Sequence, residues 1–329
     1  MLSGVPRGLP PRGICRALES RRLSSMPIYH HPLYTGALDP AARFPRERYD
    51  LVRAQLEQSG APINIRVPSP ADRASVLLAH DEGYVDRFLQ STLEPSEQRR
   101  IGLTPWTPLI VDRTLALVGG SLSAMSDALA ACGVAANMAG GTHHAAFGHG
   151  AGYCIFNDIA VCARVALSRG LVQRIAVVDF DVHQGDGTAA IFAQEGRVFT
   201  ASVHGATNFP FRKEQSDLDI ALPKGAGDGP YLEACEAALE QALATDPQLV
   251  LFQAGVDALA EDGLGHLTVT RGGMRQRNAL VFKATRGLPL VVLMGGGYSK
   301  PLCHTVEAFV DLFVAASEEH AHRCRRTAA

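Results

Sequence analysis

Four short apolar runs, each ending in Gly, Asp or Tyr after a cluster of polar or glycine residues, constrain this chain more than any other feature. They are RIAVVDFD at 174–181, RVFTASVHG at 197–205, PQLVLFQAGVD at 247–257 and LPLVVLMGGGY at 288–298. Unbroken apolar runs of this length read as strands buried on both faces, because a half-exposed strand would alternate polar and apolar residues. Between them the spacing predicts helices. NDIAVCARVALSRG at 157–170 has Asn157 as an N-cap and Gly170 just past its end, and GPYLEACEAALEQAL at 229–243 repeats apolar residues at three- and four-residue intervals. Strands alternating with helices predict an α/β fold, a central parallel sheet between helical layers, with ligands bound by the loops leaving the strand C-termini.

Composition bounds the partners. The 329 residues are 47% hydrophobic and 19% charged with a net charge of −2, so no direct nucleic-acid binding is expected. The seven cysteines are scattered, with no C-x-x-C pair, which suggests a reducing compartment rather than a disulfide framework. Runs such as AFVDLFVAA at 308–316 are well short of the roughly 20 apolar residues of a membrane helix, and no span is expected. Residues 1–25 differ from the rest, with five arginines, four serines and one acid. They fit an organelle transit peptide, placing the protein in a mitochondrion or plastid, or else an over-extended start with Met26 as initiator and a cytoplasmic or nuclear protein. No interior boundary is visible, so one catalytic domain is expected over 26–317, followed by a polar, frayed tail at 318–329.

The chemistry is concentrated at the strand ends. VVDFDVHQGDG delivers Asp179, Asp181 and His183 at alternate positions before the chain turns at Gly185 and Gly187. Aspartate and neutral imidazole suit a borderline divalent metal, and a catalytic zinc site takes three protein ligands and leaves one position open. An EF-hand would need a short oxygen ligand and a glycine where His183 and Gln184 stand. Asp257, after another apolar run and a glycine, is the candidate third ligand, with Asp262 as its competitor. The adjacent His143 and His144, in GGTHHAAFGHGAGY, supply imidazoles able to take a proton from a metal-activated water and return one to a leaving group. Asp179 and Asp186 are the acids left to orient them. In LMGGGYS at 293–299, three glycines present Tyr298 as a hydrogen-bond donor to a developing oxyanion. GHGAGY lacks the third fingerprint glycine and the G-K-[ST] of a phosphate loop, which argues against nucleotide binding.

Taken together, GGTHHA, GYCIFNDIA, DFDVHQGDGT, AGVDALAEDGLG and GGGYS resemble the zinc-dependent histone deacetylase family in order and approximate spacing, over about residues 27–316. The stretch at 202–232 looks most like the class IV branch and its bacterial relatives. The resemblance implies a three-layer arginase/deacetylase fold and a metal-dependent amidohydrolase acting on acylated lysine of histone or non-histone proteins, or on an acetylated small amine such as a polyamine. It implies one catalytic Zn2+, or Fe2+, held by Asp181, His183 and Asp257, and catalysis by His143, His144 and Tyr298 with Asp179 and Asp186 behind the pair. His144 would be the principal base and His143 the electrostatic partner, although the residues alone do not separate them. A structural K+ is implied at the Asp179 side chain and the carbonyls of Asp181, His183, Ser202 and Val203. Gly152, Tyr153, Phe209 and Gly296 would line the acyl-lysine tunnel, with His204 at its rim. Tyr153 stands where a phenylalanine is commoner. A binuclear arginase would need more metal carboxylates than can be placed, and a catalytically silent scaffold would not need the full set of catalytic residues.

Overall fold

All four apolar runs form strands, and four further strands complete a single sheet. The computed structural model describes residues 25–131 and 133–327. Residues 1–24, on which the leader expectation rests, lie outside them. The strands are β1 (Met26–Tyr29), β2 (Ile63–Arg66), β3 (Val134–Asn137), β4 (Ile175–Asp179), β5 (Val198–Gly205), β6 (Leu218–Leu222), β7 (Leu249–Gln253) and β8 (Leu290–Leu293). They are parallel throughout, in the order β2-β1-β3-β8-β7-β4-β5-β6. Every residue of β3, β4, β7 and β8 is buried, and since successive side chains point to opposite faces, both faces of the sheet centre are covered.

The helices are α1 (Leu33–Gly36), α2 (Arg48–Gln58), α3 (Arg73–Leu77), α4 (Glu82–Leu89), α5 (Pro95–Ile101), α6 (Ile110–Ala131), α7 (Asp158–Ser168), α8 (Asp186–Phe192), α9 (Asp228–Ala244), α10 (Arg271–Ala284) and α11 (Cys303–Thr327). Helix α7 starts as its sequence predicts: the Asn157 side chain accepts from Ala160 N, and Gly170 follows the last turn at φ +64°. Among the described residues α6 is the one helix long and apolar enough to cross a membrane. Its apolar length has another explanation. It packs on β1, β3, β8 and α7, with Gly119 and Gly120 so close to the Ser69–Ala71 backbone and to Tyr34 and Asn137 that a Cβ would clash.

The frayed tail is corrected by the structure. Residues 318–327 continue α11, with Glu319, His320 and Arg323 buried. Arg323 donates to Glu319 at 3.0 Å, to Thr285 Oγ1 at 3.0 Å and to Leu288 O at 2.6 Å. The charges that make this segment look solvated satisfy one another against α10 and the chain that follows it.

Strand register builds the site. Asp179 of β4 pairs with Gln253 of β7, Gln253 with Leu293 of β8, and Leu293 with Asn137 of β3. Four adjacent strands therefore end at one level, and the four motif-bearing loops leave from that edge.

Candidate active site

The loop after β4 carries Asp181 and His183, and the loop after β7 brings Asp257 to them. His183 Nδ1 lies 3.0 Å from Asp181 Oδ1 and 3.1 Å from Asp257 Oδ2. One donor atom from each residue fits within 4.8 Å of the others, and this is the only such group of metal-ligating side chains among the described residues. All three residues are buried. Two carboxylates are costly to bury side by side: burial first, and then the charge of Asp181, push Asp257 up to about 7. A divalent cation would relieve both costs, so the donor set fits a metal by composition and by electrostatics.

The surroundings orient these donors. Gln253 Nε2 and Gly296 N each donate to Asp181 Oδ2 at 2.8 Å, and Val182 N donates to Asp257 Oδ1 at 2.9 Å. The competitor Asp262 is not in the cluster. It accepts from the backbone N–H groups of Tyr298, Leu264 and Gly265, and so fixes the turn that carries Tyr298. Of the three glycines before Tyr298 only Gly295 has a positive φ, +71°. Gly296 is needed for space, because a Cβ there would run into the Asp181 and Asp257 carboxylates.

The loop after β3 places the two histidines with their rings 4.1 Å apart, centre to centre. His143 Nδ1 meets Asp179 Oδ2 at 2.7 Å, and His144 Nδ1 meets Asp186 Oδ1 at 2.6 Å. With each Nδ1 facing a carboxylate, both Nε2 atoms are left for chemistry. Their environments pull the two apart. Burial alone would depress His143, but Asp179 and Asp181 outweigh it and hold His143 at about 9. His144 is lowered to about 4 by burial and by the charge on His143, against the pull of Asp186. Without a metal beside them, the two imidazoles are driven in opposite directions, His143 toward the cation and His144 toward the free base.

The same loop rests on Asp158, the first residue of α7. Its carboxylate accepts from Gly141 N at 3.0 Å, from Thr142 N at 2.7 Å, from Thr142 Oγ1 at 2.6 Å and from Ser121 Oγ. Asn157 donates to Ala145 O at 3.1 Å, and His80 accepts from Asn157 N at 2.8 Å. The sequence marks Asn157 as a cap and gives no role to Asp158, His80, Gln253 or Arg48. Buried Arg48 donates to Gly295 O at 3.0 Å and Gly297 O at 3.1 Å, bracing the glycine turn from below. The contacts of these four residues with Thr142, Asn157, Asp181 and Gly295, in that order, span 16 to 247 residues of sequence, and no local signal marks them.

Gly152, Tyr153 and Gly296 line an inner chamber of about 40 Å³ together with both histidines, Asp181, His183 and Tyr298. Burial pushes the Tyr298 phenol far up, so it keeps its proton to donate. An outer cavity joins it through Gly152, Tyr153 and Tyr298, and there Phe209 stands edge-on to His144 with ring centres 4.8 Å apart. Of the four residues expected in the tunnel, Gly152 and Tyr153 border both cavities, Gly296 the inner one and Phe209 the outer one. His204 does not reach the rim: it is buried and bonds Ser202 Oγ at 3.0 Å. The residues missed at the rim are Arg100, Phe211, Leu264 and His266. Asp179 and Ser202, from the implied second cation site, are register partners on β4 and β5.

The model of the histone deacetylase domain matches residues 42–313, which include every one of these groups. This chain belongs to the histone deacetylase family. It is 44% identical over 279 residues to an uncharacterised protein of Picosynechococcus sp., covering 83% of this chain and 92% of that one. It is 30% identical to the histone deacetylase-like amidohydrolase of Pseudomonas aeruginosa, covering 77% and 72%, and 29% identical to histone deacetylase 8 of Xenopus tropicalis, covering 84% and 81%. Membership of this family makes the chain a hydrolase, and the parallel sheet is consistent with the family's arginase/deacetylase fold.

Proposed function

We propose that this protein is a zinc-dependent deacylase that hydrolyses the amide of acetyl-lysine, or of a similarly short acyl-lysine, in histone or non-histone proteins. The observation that carries the reading is that His144, Tyr298, Asp181 and His183 line one small chamber, with Asp257 completing the donor group around His183. A Zn2+ held by Asp181, His183 and Asp257 would supply Lewis acidity to the substrate carbonyl and to a water; Fe2+ suits the same donors. Neutral His144 accepts the proton of that water and then delivers it to the leaving amine, its ring held by Asp186. Cationic His143 and the Tyr298 hydroxyl face the negative charge that develops on the carbonyl oxygen. Tyr153 and Phe209 pack along the lysine stem.

In the same reading a K+ at Asp179, with the carbonyls of Asp181, His183, Ser202 and Val203, would stiffen the β4–β5 edge. We also place the chain nearest the class IV branch, on the segment 202–232, and propose that residues 1–25 act as an organelle address. Hydrolysis of an acetyl-lysine peptide, a long-chain acyl-lysine peptide and an acetylated polyamine by metal-loaded protein, beside a His144→Ala control, tests the activity. Turnover of the acetyl peptide, lost in the control, is expected. No turnover by a protein that holds its metal would favour a silent acyl-lysine-binding scaffold.

A further inference from the structure

A second groove lies beside the outer cavity and shares Tyr153, Leu264 and Tyr298 with it as a common wall. This second groove, of about 760 Å³, is bordered by Arg43 and Lys300, and the first, the outer cavity of about 390 Å³, by Arg100. We propose that Arg43, Arg100 and Lys300 form a cationic collar that selects acylated lysines with acidic neighbours in the polypeptide; the proposal rests on the deacylase reading and names its substrate class.

Three observations carry it. First, the three side chains are exposed, and none makes a hydrogen bond or ion pair among the described residues. Other surface arginines divide between paired ones, such as Arg66 with Asp127 at 2.7 Å and Arg73 with Asp86 at 2.7 Å, and ones with no ion pair among the described residues, such as Arg99 and Arg169. What sets the three apart is their place at the grooves. Second, no carboxylate lines either groove among the described residues. Asp262, just behind the shared wall, has its carboxylate committed to three backbone N–H groups, and Glu261 is exposed outside the lining. Lys213 is not counted, because its Nζ is held by the carbonyls of Asn208 and Pro210 at 2.5 Å. Third, one of the three acts on the mouth itself: the charge of Arg43 opposes the upward push of burial on the Tyr153 phenol.

Like charges without partners around a concave site focus a positive field over it and raise the local concentration of anionic ligands. A peptide with Asp or Glu on both sides of the acylated lysine would place one carboxylate in each groove. Its apolar stems would lie over Phe211, which is 93% exposed, and over Leu264. An acetylated polyamine, or a lysine-rich tail, would bring its own cations against the same collar, and like-charge contact disfavours it.

The test compares acetyl-lysine peptides flanked by Glu, Gln or Lys, together with an acetylated polyamine. Binding is measured to the His144→Ala protein and turnover by the unsubstituted protein. In about 0.05 M salt the Glu-flanked peptide is expected to bind about tenfold more tightly than the Gln-flanked one, with the Lys-flanked peptide weakest. That advantage should fall below about twofold in the triple variant Arg43→Gln, Arg100→Gln, Lys300→Gln, and likewise in about 0.5 M salt. Equal binding of the three peptides, or a preference for the basic peptide or the polyamine, would overturn the collar. Turnover of the Gln-flanked peptide reads the deacylase activity separately: if it is absent while the acidic preference in binding persists, the hydrolase reading fails and the collar stands.

Discussion

At the scale of single residues, the account depends on two adjacent imidazoles being made unlike. Asp179 and Asp181 hold His143 up at about 9, while burial and that neighbouring charge lower His144 to about 4, which is the ground for proposing His144 as the base. His144→Ala should lower kcat/KM by about 10²–10⁴-fold with metal content unchanged, as loss of a general base does. Tyr298→Phe keeps the ring and removes the donor. It should lower kcat by about 10²–10³-fold with little change in KM, because the hydroxyl acts on charge that develops only in the transition state. Steady-state kinetics alongside metal analysis checks both; a Tyr298→Phe protein with wild-type kcat would remove the phenol from the chemistry.

At the scale of elements, a loop is only as precise as the strand and helix ends that hold it. Strands β4, β5, β7 and β8 were legible because a strand buried on both faces leaves an unbroken apolar run. The candidate metal donors were legible because each follows a buried apolar run closely, although β4 ends at Asp179 and β7 at Gln253, so that all three sit in the loops beyond. The supports were not legible. Nothing local marks Asp158 as the acceptor for four donors, three of them in the loop after β3, or Gln253 as a partner of Asp181, since each contact spans more than ten residues of sequence. The tail was misread for a related reason: hydropathy sees the charges of Glu319 and Arg323 but not their pairing. Breaking that buried pair by Arg323→Ala should cost about 3–5 kcal/mol in urea unfolding, since the Glu319 carboxylate and the Leu288 carbonyl lose a partner. A loss under about 0.5 kcal/mol would return the segment to a solvated tail.

At the scale of the whole molecule, burial of neutral histidines links stability to pH. His80 is packed under the catalytic loop, where Nε2 accepts from Asn157 N and Nδ1 faces Ala146 O at 3.0 Å, and burial lowers it to about 4. A base whose folded-state pKa is depressed stabilises the fold fully above its unfolded value of about 6.5, and that contribution is lost as pH falls through about 4. His80 alone should contribute about 3 kcal/mol across that window. His30 and His204, each also lowered to about 4, add to the slope. Unfolding from pH 7 to pH 4 should therefore show a shallower fall in stability for His80→Gln than for the unsubstituted protein; parallel curves would contradict this.

The central claim is that four strand ends assemble one metal-dependent hydrolytic centre. It is tested most directly by titrating Zn2+ into metal-free protein while following acetyl-lysine hydrolysis and thermal unfolding together. Activity should rise in step with metal and saturate at about one ion per chain, with Tm rising alongside as the bound ion stabilises the fold. Asp181→Asn should weaken both responses. Activity indifferent to metal, or activity that requires two ions per chain, would contradict the account.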